Sequence, residues 1–161
     1  MNTQLSQPLV EQLAQQLQQR QWMLVTAESC TGGLIAGACT DLSGSSNWFE
    51  RGFVTYSNAA KTELLGVDAT LIERHGAVSP EVAQAMATGA LTHSHAQVAV
   101  AVTGVAGPTG GTTDKPVGLV WFGLALRGQV LTEKMNFAGD RAAVRSATVQ
   151  HALRRLVELT A

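Results

Sequence analysis

Residues 23–42 read MLVTAESCTGGLIAGACTDL. The apolar run over residues 23–27 predicts a short buried strand, and residues 31–42 predict a helix that follows it directly. Gly32 and Gly33 stand in the first turn of this predicted helix, where each glycine lowers helix propensity by about 1 kcal/mol. Such a cost needs a reason, and the usual one is the close approach of a ligand to bare backbone.

The chain on either side of this stretch alternates between helices and strands. Helices are predicted over residues 5–20, 58–65 and 79–93 and after Asp140, and strands over residues 49–56, 97–102, 117–126 and 130–137. The last two strands are expected to form a hairpin around Arg127 and Gly128. This order predicts an α/β layered domain whose mostly parallel sheet carries an antiparallel strand. No internal repeat or linker divides the chain, so we expect one domain over residues 1–161.

The overall composition restricts the class of protein. Hydrophobic residues make up 45% of the 161 residues and charged residues 14%, which excludes a disordered chain. The 11 Lys and Arg residues and 12 Asp and Glu residues give a formal net charge of −1. A nucleic-acid binder needs a basic surface to neutralise phosphates, so no nucleic-acid partner is predicted.

Cysteine content and the N-terminus predict the compartment. Cys30 and Cys39 fall in one predicted helical stretch, which indicates a reduced protein rather than a disulfide framework. The polar N-terminus predicts no secretion signal, and no apolar run is long enough to span a bilayer. We therefore expect a cytoplasmic protein with no membrane partner.

The turn between the first strand and its helix is the first candidate site. A helix start directs free N–H groups outward, where they bind an anion or stabilise an oxyanion. Ser29 is the candidate nucleophile at this turn. Cys30 is its rival, because a thiol at a helix start has a lowered pKa and is reactive. The alternative is structural: Ser29 caps the helix, and the glycines ease its packing on the sheet.

Lys61 is the second candidate. Ser57 or Asn58 is expected to cap the helix over residues 58–65, which places Lys61 in its first turn. A cation there faces the positive end of the helix dipole, so the pKa of Lys61 is expected to fall. A lysine base needs a pKa near about 7–8 instead of about 10.4. The alternative is a solvated surface lysine.

Two further features indicate a ligand site. The loop over residues 103–111 reads TGVAGPTGG and follows a strand end, where open α/β sheets bind ligands. Its backbone N–H groups could form a phosphate nest, although the loop matches neither a P-loop nor a dinucleotide motif and could be an ordinary mobile loop. On the last helix, Arg145 is three residues from Ala142 and four from Val149, on the predicted apolar stripe. An inward arginine needs a carboxylate, a carbonyl cluster or a substrate anion as its partner.

Metal binding is not predicted from the histidines. The chain has four of them, and none has zinc-ligand spacing with a cysteine. We interpret all four as structural or solvated residues.

Several motifs, taken in order, resemble those of the CinA C-terminal-domain family, and the resemblance covers nearly the whole chain. They are AESCTGG from Ala27, RGFVTYSN from Arg51, HGAVS from His75, TGVAGP from Thr103 and KPVG from Lys115. The resemblance implies a three-layer α/β/α sandwich with a mixed, mostly parallel sheet. It also implies a self-associating protein, with a homodimer favoured, that uses neither metal nor cofactor.

The activity implied by the resemblance is the hydrolysis of nicotinamide mononucleotide to nicotinate mononucleotide and ammonia, within pyridine-nucleotide recycling. The catalytic residues that it implies are Ser29 as nucleophile, Lys61 as base and Tyr56. Resemblance and chemistry together assign substrate binding to Cys30, Thr31, Gly32, Gly33, Thr103, Gly104, Gly107 and Arg145. In this hypothesis, Arg145 and the glycine loop hold the phosphate of the substrate.

Two other functions stay open at this level. One is a non-catalytic protein that binds a nucleotide or a partner, in keeping with the family's link to competence and DNA damage. The other is an amidase that acts on a different amide. A pure binding module has no need of a serine–lysine pair, so the joint presence of Ser29, Lys61 and Arg145 favours the enzyme.

Overall fold

The computed structural model describes the backbone of residues 3–161 and the side chains of residues 4–161. Its helices are α1 (Thr3–Arg20), α2 (Leu34–Thr40), α3 (Asn58–Leu65), α4 (Ala69–His75), α5 (Pro80–Thr92) and α6 (Arg141–Leu159). Its strands are β1 (Leu24–Glu28), β2 (Phe49–Val54), β3 (Val98–Gly104), β4 (Leu119–Leu126) and β5 (Gln129–Asn136). No helix in the described part of the chain is long and apolar enough to cross a membrane.

The five strands form one mixed sheet in the order β2-β1-β3-β4-β5. Strand β1 pairs in parallel with both β2 and β3, whereas β4 pairs antiparallel with β3 and with β5. Arg127 and Gly128 both have positive φ in the turn between β4 and β5, as a tight two-residue hairpin requires. The predicted fold class and the predicted hairpin are confirmed.

The two faces of the sheet carry side chains of different size. On β3, Val98, Val100 and Val102 point into a core with α1, α2 and α6. Ala99 and Ala101 point the other way, into a core with α3, α4 and α5. The small residues let α5 lie close to the sheet, so close that a Cβ on Gly123 of β4 would stand 2.3 Å from the Ala83 carbonyl oxygen.

Two observed helices differ from the sequence prediction. The helix predicted over residues 31–42 begins only at Leu34, because Gly32 and Gly33 have φ of +57° and +106°, outside the helical region. The prediction of a helical turn at these glycines is therefore wrong. The short helix α4, which Asp68 caps, was not predicted; the sequence pattern indicated only a turn at His75 and Gly76.

Strand direction places the functional residues at one edge of the sheet. Because β1, β2 and β3 are parallel, Glu28 lies between Val54 and Val102, and all three strands end side by side. Ser29 and Thr55, which follow β1 and β2, and Thr103, near the end of β3, therefore come together at the carboxyl edge, where open α/β sheets bind ligands.

Candidate active site

Ser29 is the first residue after β1. Its backbone N–H donates to the Val102 carbonyl at 3.1 Å, which anchors it to β3, and its carbonyl accepts from the Gly32 N–H at 3.0 Å. The side chain is largely buried, with 8% of the residue exposed. The strand end and the tight turn thus hold the hydroxyl in a protected place at the sheet edge.

Lys61 brings its amine to this hydroxyl from α3. The helix has the predicted bounds, because Ser57 caps it by accepting from the Ala60 N–H at 3.0 Å and Gly66 ends it in the left-handed region. Lys61 is 1% exposed, so the surface-lysine alternative is wrong. Its Nζ donates to Ser29 Oγ at 3.1 Å.

Two backbone carbonyls complete the surroundings of the amine. Lys61 Nζ also donates to the carbonyl oxygens of Thr55 at 3.0 Å and Tyr56 at 3.2 Å. No carboxylate forms an ion pair with it among the described residues. Burial lowers the pKa of Lys61 from its ordinary value. The predicted direction is found, and its main cause is loss of water rather than the helix dipole.

This arrangement prepares the neutral amine to act as a base. With two N–H bonds donated to the carbonyls, the lone pair of a neutral Lys61 is left for the Ser29 hydroxyl. The hydroxyl oxygen is 3.1 Å from Nζ and 3.5 Å from the Tyr56 carbonyl, so the amine is its nearer partner. The pair has the nucleophile–base geometry of covalent catalysis.

Cys30 is not prepared to be the nucleophile. Its residue is 6% exposed, and burial raises the pKa of its thiol to about 11. The thiol therefore stays protonated at neutral pH, and the predicted lowering of its pKa at a helix start is wrong. Sequence position alone could not reveal this, because the turn precedes the helix and places the sulfur in apolar surroundings.

A cavity of about 360 Å³ opens beside the serine–lysine pair. It is lined by Ser29, Cys30, Tyr56, Asn58, Lys61, Ala77, Val78, Thr103, Gly104, Val105, Ala106, Gly107, Thr109, Gly110 and Arg141. Seven of the predicted site residues are therefore together: Ser29, Lys61, Tyr56, Cys30, Thr103, Gly104 and Gly107. Thr31, Gly32, Gly33 and Arg145 are not on its wall.

Arg141 is the cavity residue that sequence reasoning missed. Its guanidinium donates to the Gly107 carbonyl at 2.8 Å and to the Tyr56 hydroxyl at 3.3 Å. It is the first residue of α6, directly after the capping Asp140. A cation at a helix start is unfavourable unless something else holds it, and that signal could have identified it.

Arg145 lies one turn further along α6 and faces the Ser29 turn from outside the cavity. Its Nε donates to the Cys30 carbonyl at 3.1 Å and its Nη2 to the Thr31 carbonyl at 3.2 Å. Of the three predicted partners, the carbonyl cluster is the one found. Arg145 also borders a neighbouring cavity of about 640 Å³, which shares Ala106 and Arg141 with the first.

The start of α2 is occupied by a protein group. The Glu28 carboxylate accepts from the N–H groups of Ile35 at 2.8 Å and Ala36 at 3.0 Å. The backbone around Gly32 is approached by the Arg145 guanidinium, 3.6 Å from where a Cβ would stand. The glycines therefore serve the turn and a protein side chain, and the N–H groups of Leu34, Ile35 and Ala36 are not open to a substrate anion.

The glycine loop is held to the protein at several points. Thr103 Oγ1 donates to the Ala77 carbonyl at 2.9 Å, and Lys115 Nζ donates to the His75 carbonyl at 2.6 Å. Gly107 has φ of +79°, and a Cβ there would stand 2.5 Å from a methyl carbon of Val117. These contacts keep the loop over residues 104–110 along one wall of the cavity.

Within residues 4–161, no group of three or more His, Cys, Asp or Glu side chains is placed to hold a metal ion. His75 is instead near Glu81, and His151 is near Glu133.

Nearly the whole chain matches one known protein family. Residues 6–160 match the model of the CinA C-terminal domain. The chain belongs to the CinA C-terminal-domain family.

Two CinA-family relatives are named nicotinamide-nucleotide amidohydrolase PncC. The one from Enterobacter agglomerans is 56% identical over 147 residues, which cover 88% of this chain and 90% of the relative. The one from Escherichia coli K12 is 51% identical over 149 residues, covering 92% and 90%.

Solved structures of CinA proteins agree with this fold. A competence/damage inducible protein from Agrobacterium tumefaciens superposes with a TM-score of 0.94 at 47% identity, covering 96% of this chain and 95% of that one. A CinA superfamily protein from Escherichia coli has a TM-score of 0.94 at 41% identity, covering 99% and 92%. The whole described domain, and not one motif alone, is therefore that of the CinA family.

Proposed function

We propose that this chain is an amidohydrolase that converts nicotinamide mononucleotide and water to nicotinate mononucleotide and ammonia. The observation that carries the proposal is the 3.1 Å contact between Ser29 Oγ and a buried Lys61 whose pKa is lowered. The names of the two relatives support the same reaction and the same substrate class. A module that only binds a nucleotide gains nothing from a desolvated lysine next to a serine.

In the first half of the reaction, neutral Lys61 takes the proton of the Ser29 hydroxyl while Oγ attacks the carboxamide carbon. The C=O π bond opens and leaves a tetrahedral oxyanion. As the oxyanion collapses, the C–N bond breaks, and the lysine proton passes to the departing nitrogen to give ammonia. The product of this half is an ester between Ser29 and the nicotinate carbonyl.

In the second half, water replaces the nitrogen. Lys61, neutral again, takes a proton from water as the oxygen attacks the ester carbon, and the C–Oγ bond then breaks. The proton returns to Ser29 Oγ, and nicotinate mononucleotide leaves. One water is consumed and one ammonia is released, so no other reactant is needed.

The oxyanion needs N–H donors that the protein has not already used. Around the serine, the N–H groups of residues 32, 34, 35 and 36 all donate to protein acceptors. Those of Cys30, Thr31 and Gly33 have no acceptor among the described residues. We assign the oxyanion to the first two, which directly follow the nucleophile in the chain; the group immediately after the nucleophile is the usual donor.

The phosphate of the substrate is assigned to Arg141 and the glycine loop. Apart from Lys61, Arg141 is the one cation on the described wall of the cavity, and Lys61 is engaged with Ser29. Arg145, which the sequence favoured for this role, is not on the cavity wall and donates two N–H groups to the carbonyls of Cys30 and Thr31. Tyr56 places its ring at the mouth, where its hydroxyl meets Arg141. Thr103 and Ala77 are also on the cavity wall, and the Thr103 hydroxyl donates to the Ala77 carbonyl.

The setting of this activity is part of the proposal. We place the enzyme in pyridine-nucleotide recycling in the cytoplasm, as a homodimer that acts without metal or cofactor. Light scattering during size-exclusion chromatography measures the assembly, and a monomer at micromolar concentration would contradict the homodimer.

The experiment that tests the activity is ammonia release from nicotinamide mononucleotide by purified, chelator-treated protein. Free nicotinamide and the dephosphorylated riboside are the comparison substrates, and Lys61→Met is the control variant. We expect rapid release from the mononucleotide alone, with loss in the variant. Binding of the mononucleotide without release from any substrate would contradict the enzyme and favour a nucleotide-binding protein.

A further inference from the structure

Glu28 is a buried carboxylate that the proposed reaction does not use. It is the last residue of β1, directly before Ser29, and is 1% exposed. Its Oε1 accepts from the Thr31 hydroxyl at 2.6 Å and from the Ile35 N–H at 2.8 Å, and its Oε2 accepts from the Ala36 N–H at 3.0 Å. Three donors thus converge on one side chain.

No cation forms an ion pair with Glu28 among the described residues. The carboxyl group is instead stabilised by hydrogen bonds from the first free N–H groups of α2, at the positive end of that helix. Gly33, the residue at the N-cap of α2, has no side chain to make these bonds. Glu28 therefore caps α2 from the neighbouring strand.

We propose that Glu28 is a positioning residue that holds the Ser29 turn in its reactive shape, an inference that rests on the proposed function. Glu28 is not on the wall of the Ser29 cavity, so it acts through the turn and not on the substrate. The turn needs such an anchor, because Gly32 and Gly33 leave its backbone without steric preference.

The turn is held from two sides. Glu28 accepts a hydrogen bond from the Thr31 hydroxyl, and Arg145 donates hydrogen bonds to the carbonyls of Cys30 and Thr31. The peptide between Cys30 and Thr31 is trans and planar, so fixing the Cys30 carbonyl toward Arg145 directs the Thr31 N–H to the opposite side. Loss of the hydrogen bonds from either Glu28 or Arg145 lets this peptide rotate. The Thr31 N–H, one of the two groups assigned to the oxyanion, then rotates with it.

The substitution Glu28→Gln tests this role with almost no change in volume. An amide keeps one acceptor oxygen, but its NH₂ group faces one of the three donors. We expect kcat to fall by about 10²-fold, as for a misplaced catalytic group, while KM changes by less than about threefold. A purely structural cap would lower the amount of folded enzyme and leave the kcat of the folded fraction unchanged.

Thr31 provides a milder pair of variants. Thr31→Val removes the hydroxyl at constant shape and is expected to lower kcat by about tenfold. Thr31→Ser keeps the hydroxyl, and its kcat is expected to stay well above that of Thr31→Val. If Glu28→Gln does not fold, this pair alone decides the question, and equal kcat values for the two variants would overturn the proposal.

Asp68→Asn is the matched control. Asp68 caps α4 with the same kinds of partner, a threonine hydroxyl at 2.7 Å and a backbone N–H at 2.9 Å, but it is not on the cavity wall. Its removal is expected to lower the thermal midpoint with kcat unchanged. A similar fall of kcat in Asp68→Asn and Glu28→Gln would overturn the positioning role.

A second readout separates this inference from the proposed substrate. A fluorophosphonate labels an activated serine: Ser29 Oγ bonds to phosphorus, fluoride leaves, and the hydroxyl proton goes to Lys61. Mass spectrometry gives the labelling rate. If wild-type protein is labelled but releases no ammonia, the proposed function fails and labelling decides the inference. Slower labelling of Glu28→Gln supports it, and an unchanged rate overturns it.

Discussion

Lys61 Nζ lies 3.1 Å from Ser29 Oγ although the two residues belong to different elements, the end of β1 and the first half of α3. They meet because β1 and β2 run in parallel and end side by side, and α3 begins four residues after β2 ends. The ends of two adjacent parallel strands therefore bring the nucleophile and the helix that carries the base together. We make five predictions from the structure.

Activity should depend on pH through Lys61. The base works only as a neutral amine, and burial lowers its pKa, so kcat/KM should rise with pH through that lowered pKa. The midpoint of this acidic limb is expected below the ordinary lysine pKa of 10.5. Steady-state kinetics across a pH series measures it. A limb centred at the ordinary lysine value would contradict the assignment.

The free energy of unfolding should also depend on pH through Lys61. In the pH window between the lowered folded-state pKa and 10.5, the unfolded chain holds more protons on Lys61 than the folded protein does. The free energy of unfolding contributed by this group therefore rises with pH across the window. Urea unfolding at several pH values measures the slope, and Lys61→Met should remove that part of it. An identical slope in the variant would show that another group is responsible.

Ser29 and Cys30 should respond very differently to replacement by alanine. Ser29→Ala removes the nucleophile and should lower kcat by at least about 10³-fold. Cys30→Ala removes a protonated thiol and should cost no more than about tenfold. Ammonia release measures both, and mass spectrometry should find the acylated peptide at Ser29. The reverse order of the two losses would make the cysteine the nucleophile.

The two arginines of α6 should affect different kinetic constants. Arg141→Ala removes the cavity cation and should raise KM for the mononucleotide by about 10- to 100-fold, the worth of a hydrogen bond to a charged group. Arg145→Ala frees the carbonyls of Cys30 and Thr31 and should mainly lower kcat. Arg141→Ala should also reduce the preference for the mononucleotide over the riboside. If Arg145→Ala instead raised KM and Arg141→Ala mainly lowered kcat, Arg145 and not Arg141 would be the residue that binds the phosphate.

Two glycine-to-alanine changes should have opposite effects on stability. Gly123→Ala places a Cβ 2.3 Å from the Ala83 carbonyl oxygen, so β4 and α5 must separate, at about 1–3 kcal/mol. Gly37, inside α2, has nothing within 4 Å of such a Cβ, and Gly37→Ala should stabilise by about 0.5–1 kcal/mol. Thermal unfolding compares them, and equal shifts would show that the sheet face tolerates a larger residue.

The sequence predicted those parts of the fold that have local signals. Helix α3 has a capping serine before it and a glycine after it, and it was found with the predicted bounds. The hairpin at Arg127 and Gly128 has a comparable turn signal. Helix α4 has only seven residues and one buried apolar side chain, so its pattern is too short to distinguish from a turn.

The sequence predicted most residues of the candidate site, but it predicted their roles less well. The order of the motifs identified Ser29 and Lys61 as candidates. Their contact itself depends on the pairing of strands that are distant in the chain. Periodicity indicated that Arg145 faces inward, but it could not show that the carbonyls of Cys30 and Thr31 meet it there. The raised pKa of Cys30 depends on burial, which the position of a residue in the chain does not show.

The alanines of β3 and Gly123 of β4 also determine how deep helix α5 sits against the sheet. Ser79 caps the start of α5, and the preceding residues Ala77 and Val78 form part of the cavity wall. The depth of one helix in the core is therefore linked to the width of the cavity beside Ser29. Enlarging Ala101, which is not on the cavity wall, is expected to push that wall outward. We therefore expect the size of ligand that the cavity accepts to be adjustable from the hydrophobic interior, without change to any residue of its wall.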